Sequence, residues 1–374
     1  MSERPPVAVV FGGPSAEHDV SITSGTAIAE ALDGLGYRVE QWLIDLEARW
    51  WRLPDDHRRA GRAPNAYDDA APIAERGPLT VGTALDALSG AMPRPVVFVA
   101  LHGPFGEDGT IQGLLDAADL AYTGSGVAAS AIGMDKALQK RLWRGLGLPV
   151  VDWREIRAER WAGESSRAAV LEELEAFASG SGDERLMVKP ARLGSSVGMT
   201  LAHSAPERPA ALDLAFRYDS VAIAEIYVPN ARDLEVSVIG NNPAKLELFG
   251  PGEIVAGHEF YDYEAKYTPG LSETATRAEV PAQLRATILK LARDAYRALG
   301  AEGFARIDFL LAGEQLYLSE INTIPGFTPI SLFPTMPAEG GYDFAAVCAR
   351  IVDLAIERHA GRVRTRLTPA DLPR

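Results

Sequence analysis

Three side chains that could bind a divalent cation lie in the C-terminal part of the chain, with an arginine beside them. Arg306 and Asp308 are two residues apart, as are Glu320 and Asn322. Residues two apart on a β-strand share a face, so a hairpin would bring both pairs onto one surface. Two carboxylates and an amide oxygen suit Mg²⁺, which proteins usually share with nucleotide phosphates. The alternative is a solvated polar face with ordinary ion pairs. The tight turn that ends at Gly326 favours the metal site because it fixes the geometry of the ligands.

A lysine followed by a loop of small residues offers a phosphate site. Lys189 ends a β-rich run, and residues 194–198 are GSSVG. Backbone N–H groups of such a loop can cradle a phosphate, although a merely flexible loop has the same composition. Lys136, in the predicted helix 127–146, is a further candidate, although a lysine on a helix is usually solvated. Neither lysine identifies a nucleotide site alone.

Two polar loops follow predicted parallel strands. Glu17 and His18 come after the strand 7–11, while His102 and the segment GEDG at 106–109 come after the strand 95–101. Ligands bind at the carboxyl ends of the strands in such sheets. The two loops should therefore face one crevice.

A third loop, 260–267 (FYDYEAKY), is rich in aromatic residues and contains Lys266. It is typical of a lid that packs on a ligand; the alternative is a loop docked on its own core. The lysines, Arg306, the glycine loop and the hairpin together predict a nucleotide site. This nucleotide site is not a P-loop, because the motif GxxxxGK[ST] is absent. The segment GGPSAEH after the first strand lacks GxGxxG, so the sequence gives little support to a dinucleotide-binding fold. HExxH is absent too.

The elements that position these residues predict α/β structure first and α+β structure later. A strand, a glycine turn and a helix from near Ser21 open the chain as an α/β unit. The stretch 50–78, rich in Arg, Asp, Pro and Ala, is interpreted as an insertion or long surface loop. Strands 304–311 and 315–321 predict a hairpin. Cys348 falls on the apolar face of a last helix, 344–357, and is predicted to be a core residue.

Composition limits the function classes. The 374 residues are 47% hydrophobic and 24% charged, which is an ordinary globular balance with room for two or three domains. The net charge of −14 disfavours nucleic acid and anionic membranes as partners. One cysteine excludes an internal disulfide and fits a reducing compartment. The N-terminal sequence is not typical of a signal peptide, so we expect a soluble cytoplasmic protein.

The order of the motifs is similar to that of a known family. Along the chain run GGPSAEHDVSITSG, LHGPFGEDGTIQG, MDK, VKPARLGSSVGM, FYDYEAKY, ARIDF and EINTIPGFTPIS. In this order they resemble D-alanine–D-alanine ligases of the ATP-grasp superfamily, over residues 7–358 or so. The resemblance implies three domains, 1–124, 125–227 and 228–374, with ATP between the second and third, and a homodimer. It also implies D-alanine and ATP as substrates, an acyl-phosphate intermediate and a role in peptidoglycan synthesis.

The resemblance also implies roles for individual residues. Asp308, Glu320 and Asn322 would bind two Mg²⁺ ions, for which Mn²⁺ could substitute. The residues implied in ATP binding are Lys136, Lys189, Gly194, Ser195, Ser196, Val197, Glu225, Ile226, Tyr227, Val228, Asp233 and Lys266.

For the amino-acid substrates, the resemblance implies that Glu17 takes the ammonium of the first D-alanine and His102 lies near its carboxylate. Ser195 and Tyr267 would link Glu17 to the glycine loop and the lid. Arg306 and the Gly326 N–H would stabilise the oxyanion. The second carboxylate would lie at Ser331 and Leu332.

The chain departs from the family at two places. Residues 231–233 are Ala-Arg-Asp where the family usually has Gly-Arg-Glu, and the shorter Asp233 would have to reach the ribose. Residues 335–344 lack a tryptophan that many relatives carry near the second substrate. Tyr267 favours an amine acceptor, because relatives that use D-lactate tend to lack it. A different acceptor, such as D-serine, D-lactate or an unusual amino acid, and a nucleotide-binding protein without ligase activity are the alternatives.

Overall fold

A twisted five-stranded sheet forms the N-terminal part of the computed structural model, which describes residues 4–256 and 272–364. The order of its strands is β4-β3-β2-β1-β5, and β1 lies between β2 and β5 and is parallel to both. Burial of β1 on both faces explains its continuous apolar sequence. The strands are β1 Val7–Gly12, β2 Val39–Ile44, β3 Trp50–Arg52, β4 Arg76–Leu79 and β5 Val96–Val99. The predicted α/β unit is confirmed.

The interpretation of residues 50–78 as an insertion or long surface loop is wrong. Its ends form β3 and β4, which extend the sheet in antiparallel orientation. Trp50 and Tyr67 are completely buried. The prediction was wrong because it weighed the polar composition and not the few large apolar side chains that drive burial.

Helices cover this sheet and position its ligand-facing edge. The first begins at His18, three residues before the predicted start. The earlier start arises because the Ser21 N–H already donates an α-helical hydrogen bond to the Glu17 carbonyl at 3.0 Å. The helices of this part are His18–Gly34, Val81–Gly90 and Thr110–Ala117, with a 3₁₀ turn at Pro64–Tyr67.

The predicted helix 127–146 is two helices, Val127–Met134 and Lys136–Gly145. Asp135 between them is extended (φ −93°, ψ 98°), and its side chain accepts a hydrogen bond from the Leu138 N–H. An aspartate at this position caps a new helix and so competes with continuation of the old one. Lys136 is therefore the first residue of a helix and not an internal one.

A four-stranded antiparallel sheet follows, in the order β6-β9-β7-β8. The strands are β6 Trp153–Arg157, β7 Leu186–Pro190, β8 Thr200–Ala202 and β9 Val221–Ile226. The helices Ala158–Trp161, Glu164–Ser181 and Arg208–Ala215 belong to this part, with a 3₁₀ turn at Ala205–Glu207. Lys189 lies at the end of β7, as predicted.

The third sheet is antiparallel, in the order β12-β11-β10-β13-β14. Its strands are β10 Arg232–Ile239, β11 Glu247–Ala256, β12 Ser272–Ala275, β13 Phe304–Ala312 and β14 Gln315–Asn322. The predicted hairpin is confirmed, with Arg306 opposite Asn322 and Asp308 opposite Glu320.

The remaining described helices are Ala282–Leu299, Leu332–Thr335 and Phe344–Arg364, with a 3₁₀ turn at Met336–Gly340. The first two pack against this third sheet, whereas Phe344–Arg364 packs against the helix His18–Gly34 and β5 of the N-terminal part. Cys348 is fully buried in the core, and burial raises the pKa of its thiol, so its predicted core role is confirmed. Among the described helices none is long and apolar enough to cross a membrane.

Candidate active site

A cavity of about 520 Å³ lies among β7, β9, β10, β13 and β14. The predicted residues that line it are Lys136, Lys189, Gly194, Ser195, Ser196, Val197, Glu225, Ile226, Tyr227, Val228, Asp233, Arg306, Asp308 and Glu320. The structure thus brings together the strand-end lysine, the glycine loop and the hairpin, which are far apart in sequence.

The hairpin end of the cavity holds a bidentate ion pair. Arg306 Nε and Nη2 donate to the two carboxylate oxygens of Asp308 at 2.7 and 2.6 Å. Asn322 Nδ2 donates to Asp308 Oδ2 at 3.0 Å, and Arg306 Nε lies 3.2 Å from Glu235 Oε1. Burial alone would lower the pKa of Arg306, but Asp308 and Glu235 raise it well above its usual value. The guanidinium is therefore charged and held in one orientation.

Lys136 reaches the same end of the cavity from its helix. Its Nζ lies 3.0 Å from Glu320 Oε2 and donates to the Leu193 carbonyl at 2.9 Å. Burial would lower the pKa of Lys136, and the nearby Glu320 carboxylate raises it. The alternative of a solvated helix lysine is wrong, because the side chain is only 12% exposed.

The donor set of the hairpin fits a hard cation. Asp308 and Glu320 face one another across β13 and β14, with Asn322 beside Asp308. Within residues 4–256 and 272–364, no group of three or more His, Cys, Asp or Glu side chains is arranged to hold a metal. The predicted set is consistent with this, since it has two carboxylates and an amide. Oxygen donors of this kind suit Mg²⁺ that keeps other ligands from water or phosphate.

Glu225 lines the cavity and lies between two lysines. Its Oε2 is 2.8 Å from Lys189 Nζ, and its Oε1 is 2.8 Å from Lys140 Nζ. Burial would raise the pKa of Glu225, but the two lysines lower it to about 2. Sequence reasoning missed Lys140. The available signal was its position one helical turn after Lys136, on the same face.

Glu17 connects the N-terminal sheet to the glycine loop. The Ser195 hydroxyl donates a hydrogen bond to Glu17 Oε1. A Cβ atom at Gly103 or Gly194 would lie 2.6 or 2.7 Å from Glu17 Oε2. These two glycines therefore leave the space that the carboxylate occupies. The predicted link between Glu17 and Ser195 is present in the structure.

His102 and Glu107 hold the peptide of Ile324, just before the turn that contains Gly326. His102 Nδ1 is 3.0 Å from the Ile324 carbonyl, and Nε2 is 3.0 Å from Ser24 Oγ. The two oxygens of Glu107 accept from the Gly103 N–H at 2.9 Å and the Ile324 N–H at 3.2 Å. The GEDG segment at 106–109 was predicted to face the crevice, but no role was predicted for Glu107.

Burial affects the protonation of both side chains. It lowers the pKa of His102, which favours the neutral imidazole. Burial and, secondarily, the nearby Glu17 carboxylate raise the pKa of Glu107 to about 8. Near neutral pH the protonated Glu107 therefore predominates.

The raised pKa of Glu107 predicts a pH-dependent stability. Its folded-state pKa of about 8 exceeds the ordinary 4.5, so this stabilising contribution is fully present below pH 4.5 and is lost as the pH rises through about 8. In Glu107→Gln this fall should disappear, a change of up to about 1.4 kcal/mol per pH unit. Urea denaturation between pH 5 and 8.5 measures it. Glu314→Gln, at an exposed position, should keep the wild-type slope. An unchanged slope in Glu107→Gln would contradict the assignment.

The residues predicted for the second substrate lie in the segment after β14. Ser331 Oγ accepts from the Thr328 N–H at 3.1 Å and lies 3.4 Å from where a Gly326 Cβ would be. Leu332 is buried at the start of its short helix. This segment does not line the 520 Å³ cavity. Lys266 and Tyr267 lie outside the described residues.

Two family models cover most of the chain. The model described as D-ala D-ala ligase N-terminus matches residues 6–125. The model described as D-ala D-ala ligase C-terminus matches residues 142–353. The chain belongs to the D-alanine–D-alanine ligase family. The resemblance inferred from the motifs is therefore confirmed.

Full-length relatives and solved structures agree with this membership. A D-alanine–D-alanine ligase from Heliobacterium modesticaldum is 40% identical over 98% of both chains, and one from Kineococcus radiotolerans is 40% identical over 96% of this chain and 98% of its own. The D-alanine–D-alanine ligase structure from Coxiella burnetii has a TM-score of 0.75 at 28% identity, covering 96% of this chain and 98% of its own. The VanG D-Ala:D-Ser ligase from Enterococcus faecalis has a TM-score of 0.79 at 28% identity, covering 94% of this chain and 99% of its own.

Proposed function

We propose that this protein joins two D-alanine molecules into D-alanyl-D-alanine and converts ATP to ADP and phosphate. One observation carries the proposal: an anchored carboxylate, Glu17, is hydrogen-bonded to the loop that lines a cation-rich cavity. A carboxylate at this place suits the ammonium of an amino acid, and the cations suit its phosphate donor. Within this family the product is a precursor of peptidoglycan.

The first step needs alignment and charge neutralisation more than covalent help. The carboxylate oxygen of the first D-alanine attacks the γ-phosphorus, the bond to the β-phosphate oxygen breaks, and ADP leaves. Lys136 and Lys189 hold the α- and β-phosphates, and residues 194–197 cover them with backbone N–H groups. Residues 225–228 hold the adenine and Asp233 the ribose. Mg²⁺ at Asp308, Glu320 and Asn322 supplies charge neutralisation when bound, and we propose two ions, with Mn²⁺ as a substitute.

The second step transfers the acyl group. The amine nitrogen of the second D-alanine, after losing a proton, attacks the acyl carbon, and phosphate leaves from the tetrahedral intermediate. Arg306 and the Gly326 N–H stabilise the oxyanion. The fixed orientation of Arg306 supports this role, because preorganised donors avoid reorganisation during the reaction. Ser331 and Leu332 receive the carboxylate of the second substrate.

The first substrate is held on the N-terminal side. Glu17 takes its ammonium, since a buried cation without a partner is costly. Ser195 and Tyr267 orient Glu17, and neutral His102 lies near the substrate carboxylate. We further propose domains at 1–124, 125–227 and 228–374, a homodimer, and a cytoplasmic location.

An acceptor other than D-alanine is the second candidate. The structural likeness to a D-Ala:D-Ser ligase and the absence of a tryptophan in residues 335–344 favour it. The 40% identity with D-alanine–D-alanine ligases favours D-alanine. Mass analysis of products formed from D-alanine with an equal amount of D-serine or D-lactate separates the two. We expect D-alanyl-D-alanine to predominate, and a mixed product in excess would contradict the first proposal.

The predicted role of the loop 260–267 as a lid is tested at Lys266. We propose that it reaches the γ-phosphate, so Lys266→Ala should lower turnover by roughly 10² or more while ATP binding changes little. Steady-state ADP formation and equilibrium ATP binding measure the two quantities. Lys245→Ala, at an exposed position, is the control. Unchanged turnover would mean that Lys266 takes no part in catalysis.

A further inference from the structure

A buried lysine that the proposed mechanism does not use lies behind the nucleotide cavity. Lys140 is on the helix Lys136–Gly145, and its side chain is 1% exposed. Its Nζ is 2.8 Å from Glu225 Oε1, 3.4 Å from the Val151 carbonyl and 5.7 Å from the centre of the Trp153 ring. Lys189 and Glu225 line the cavity, whereas Lys140 does not. Lys140 therefore faces the carboxylate from the protein side.

Each carboxylate oxygen of Glu225 has its own lysine. Oε2 is paired with Lys189 and Oε1 with Lys140, both at 2.8 Å. The carboxylate is 7% exposed. A buried carboxylate that loses its only cationic partner carries a large desolvation penalty. Two lysines for one carboxylate leave an excess positive charge at the cavity wall.

This arrangement removes a conflict between two tasks of Lys189. If Lys189 holds a phosphate of ATP, as proposed above, its ammonium must give up part of its ion pair with Glu225 to contact the phosphate. With Lys189 as its only cation, Glu225 would retain the lysine and compete with the phosphate. Lys140 compensates the carboxylate whether or not Lys189 is paired with it.

We propose that Lys140 is a positioning residue for ATP binding: it neutralises Glu225 from behind and thereby frees Lys189 for the phosphates. The inference rests on the proposed function, because it takes Lys189 as a phosphate ligand. It predicts that the effect of Lys140 on ATP affinity passes through the charge of Glu225. A purely structural lysine would act regardless of that charge.

A double-mutant cycle tests this coupling with calorimetric binding of Mg-ATP to the full chain. Lys140→Met should weaken ATP binding about tenfold or more in the wild-type background, where Glu225 then competes for Lys189. In the Glu225→Gln background the same substitution should change the affinity by less than about threefold. At saturating ATP, the turnover number of Lys140→Met should stay within a few-fold of wild type. Lys290→Met, at a side chain 73% exposed, is the matched control and should bind normally.

The outcomes separate this inference from the proposed function. Equal weakening in both backgrounds, or no weakening in either, would overturn the role of Lys140 while leaving ATP binding by the wild-type chain intact. Absence of ATP binding by the wild-type chain would overturn the proposed function itself, and this inference with it. If circular dichroism shows that Lys140→Met does not fold, the cycle is run with Lys140→Gln, with the same expectations.

Discussion

Arg306→Met is expected to lower the rate of dipeptide formation by about 10³-fold, the largest effect of any single substitution at the site. Arg306 donates two parallel hydrogen bonds to Asp308 and lies beside Glu235. Its removal eliminates an oxyanion donor and the cation that Asp308 and Glu235 share. Rapid-quench measurement of dipeptide at saturating substrates gives the rate.

Arg306→Lys separates the two contributions. It keeps the positive charge near Asp308 and Glu235 but lacks the planar fork. We expect it to fold with near wild-type stability and still to lose about 10²-fold in rate. Arg350→Met, which removes a more exposed ion pair with Glu247, should leave the rate unchanged. A rate within threefold of wild type in Arg306→Lys would contradict a role for the guanidinium geometry.

Asp308→Asn should lower ADP formation by about 100-fold and raise the Mg²⁺ concentration needed for half-maximal activity. The substitution keeps the size of the side chain but removes the negative charge. It also turns an acceptor into a donor where Arg306 and Asn322 both donate. Mg²⁺ titration of ADP formation measures both effects.

The Mg²⁺ dependence distinguishes a metal ligand from a partner of Arg306. For a ligand, excess Mg²⁺ should restore part of the activity, and Glu320→Gln should show the same shift. Asp294, on the helix Ala282–Leu299, pairs only with exposed Lys290 among the ion pairs described. The substitution Asp294→Asn should therefore behave as wild type. Loss of activity with an unchanged Mg²⁺ requirement would mean that Asp308 serves to orient Arg306.

Local periodicity predicted the hairpin well. Side chains two residues apart on a strand point to the same face, which places Arg306 with Asp308 and Glu320 with Asn322. The register of the hairpin then brings the two pairs opposite one another. A strand buried on both faces was likewise visible in the apolar run of β5. These features depend only on neighbouring residues.

Two kinds of feature were harder to predict from the sequence: a break where a capping side chain competes with helix continuation, and contacts between residues far apart in the chain. The break at Asp135 was missed because apolar periodicity continues on both sides while a local cap interrupts the backbone. The contact of Glu17 with Ser195 joins residues 178 apart and was anticipated only through the family resemblance. Lys140 lies one helical turn after Lys136, but that spacing does not identify its buried partner on β9. Long-range pairing of charges is fixed by the fold and leaves no spacing pattern.

Supplying Mg-ATP and D-alanine alone, and measuring ADP together with the mass of the product, decides whether this protein forms D-alanyl-D-alanine. We expect one ADP for each D-alanyl-D-alanine formed, with no ADP in the absence of D-alanine. ADP release without dipeptide under saturating D-alanine, or no ADP at all, would contradict this expectation.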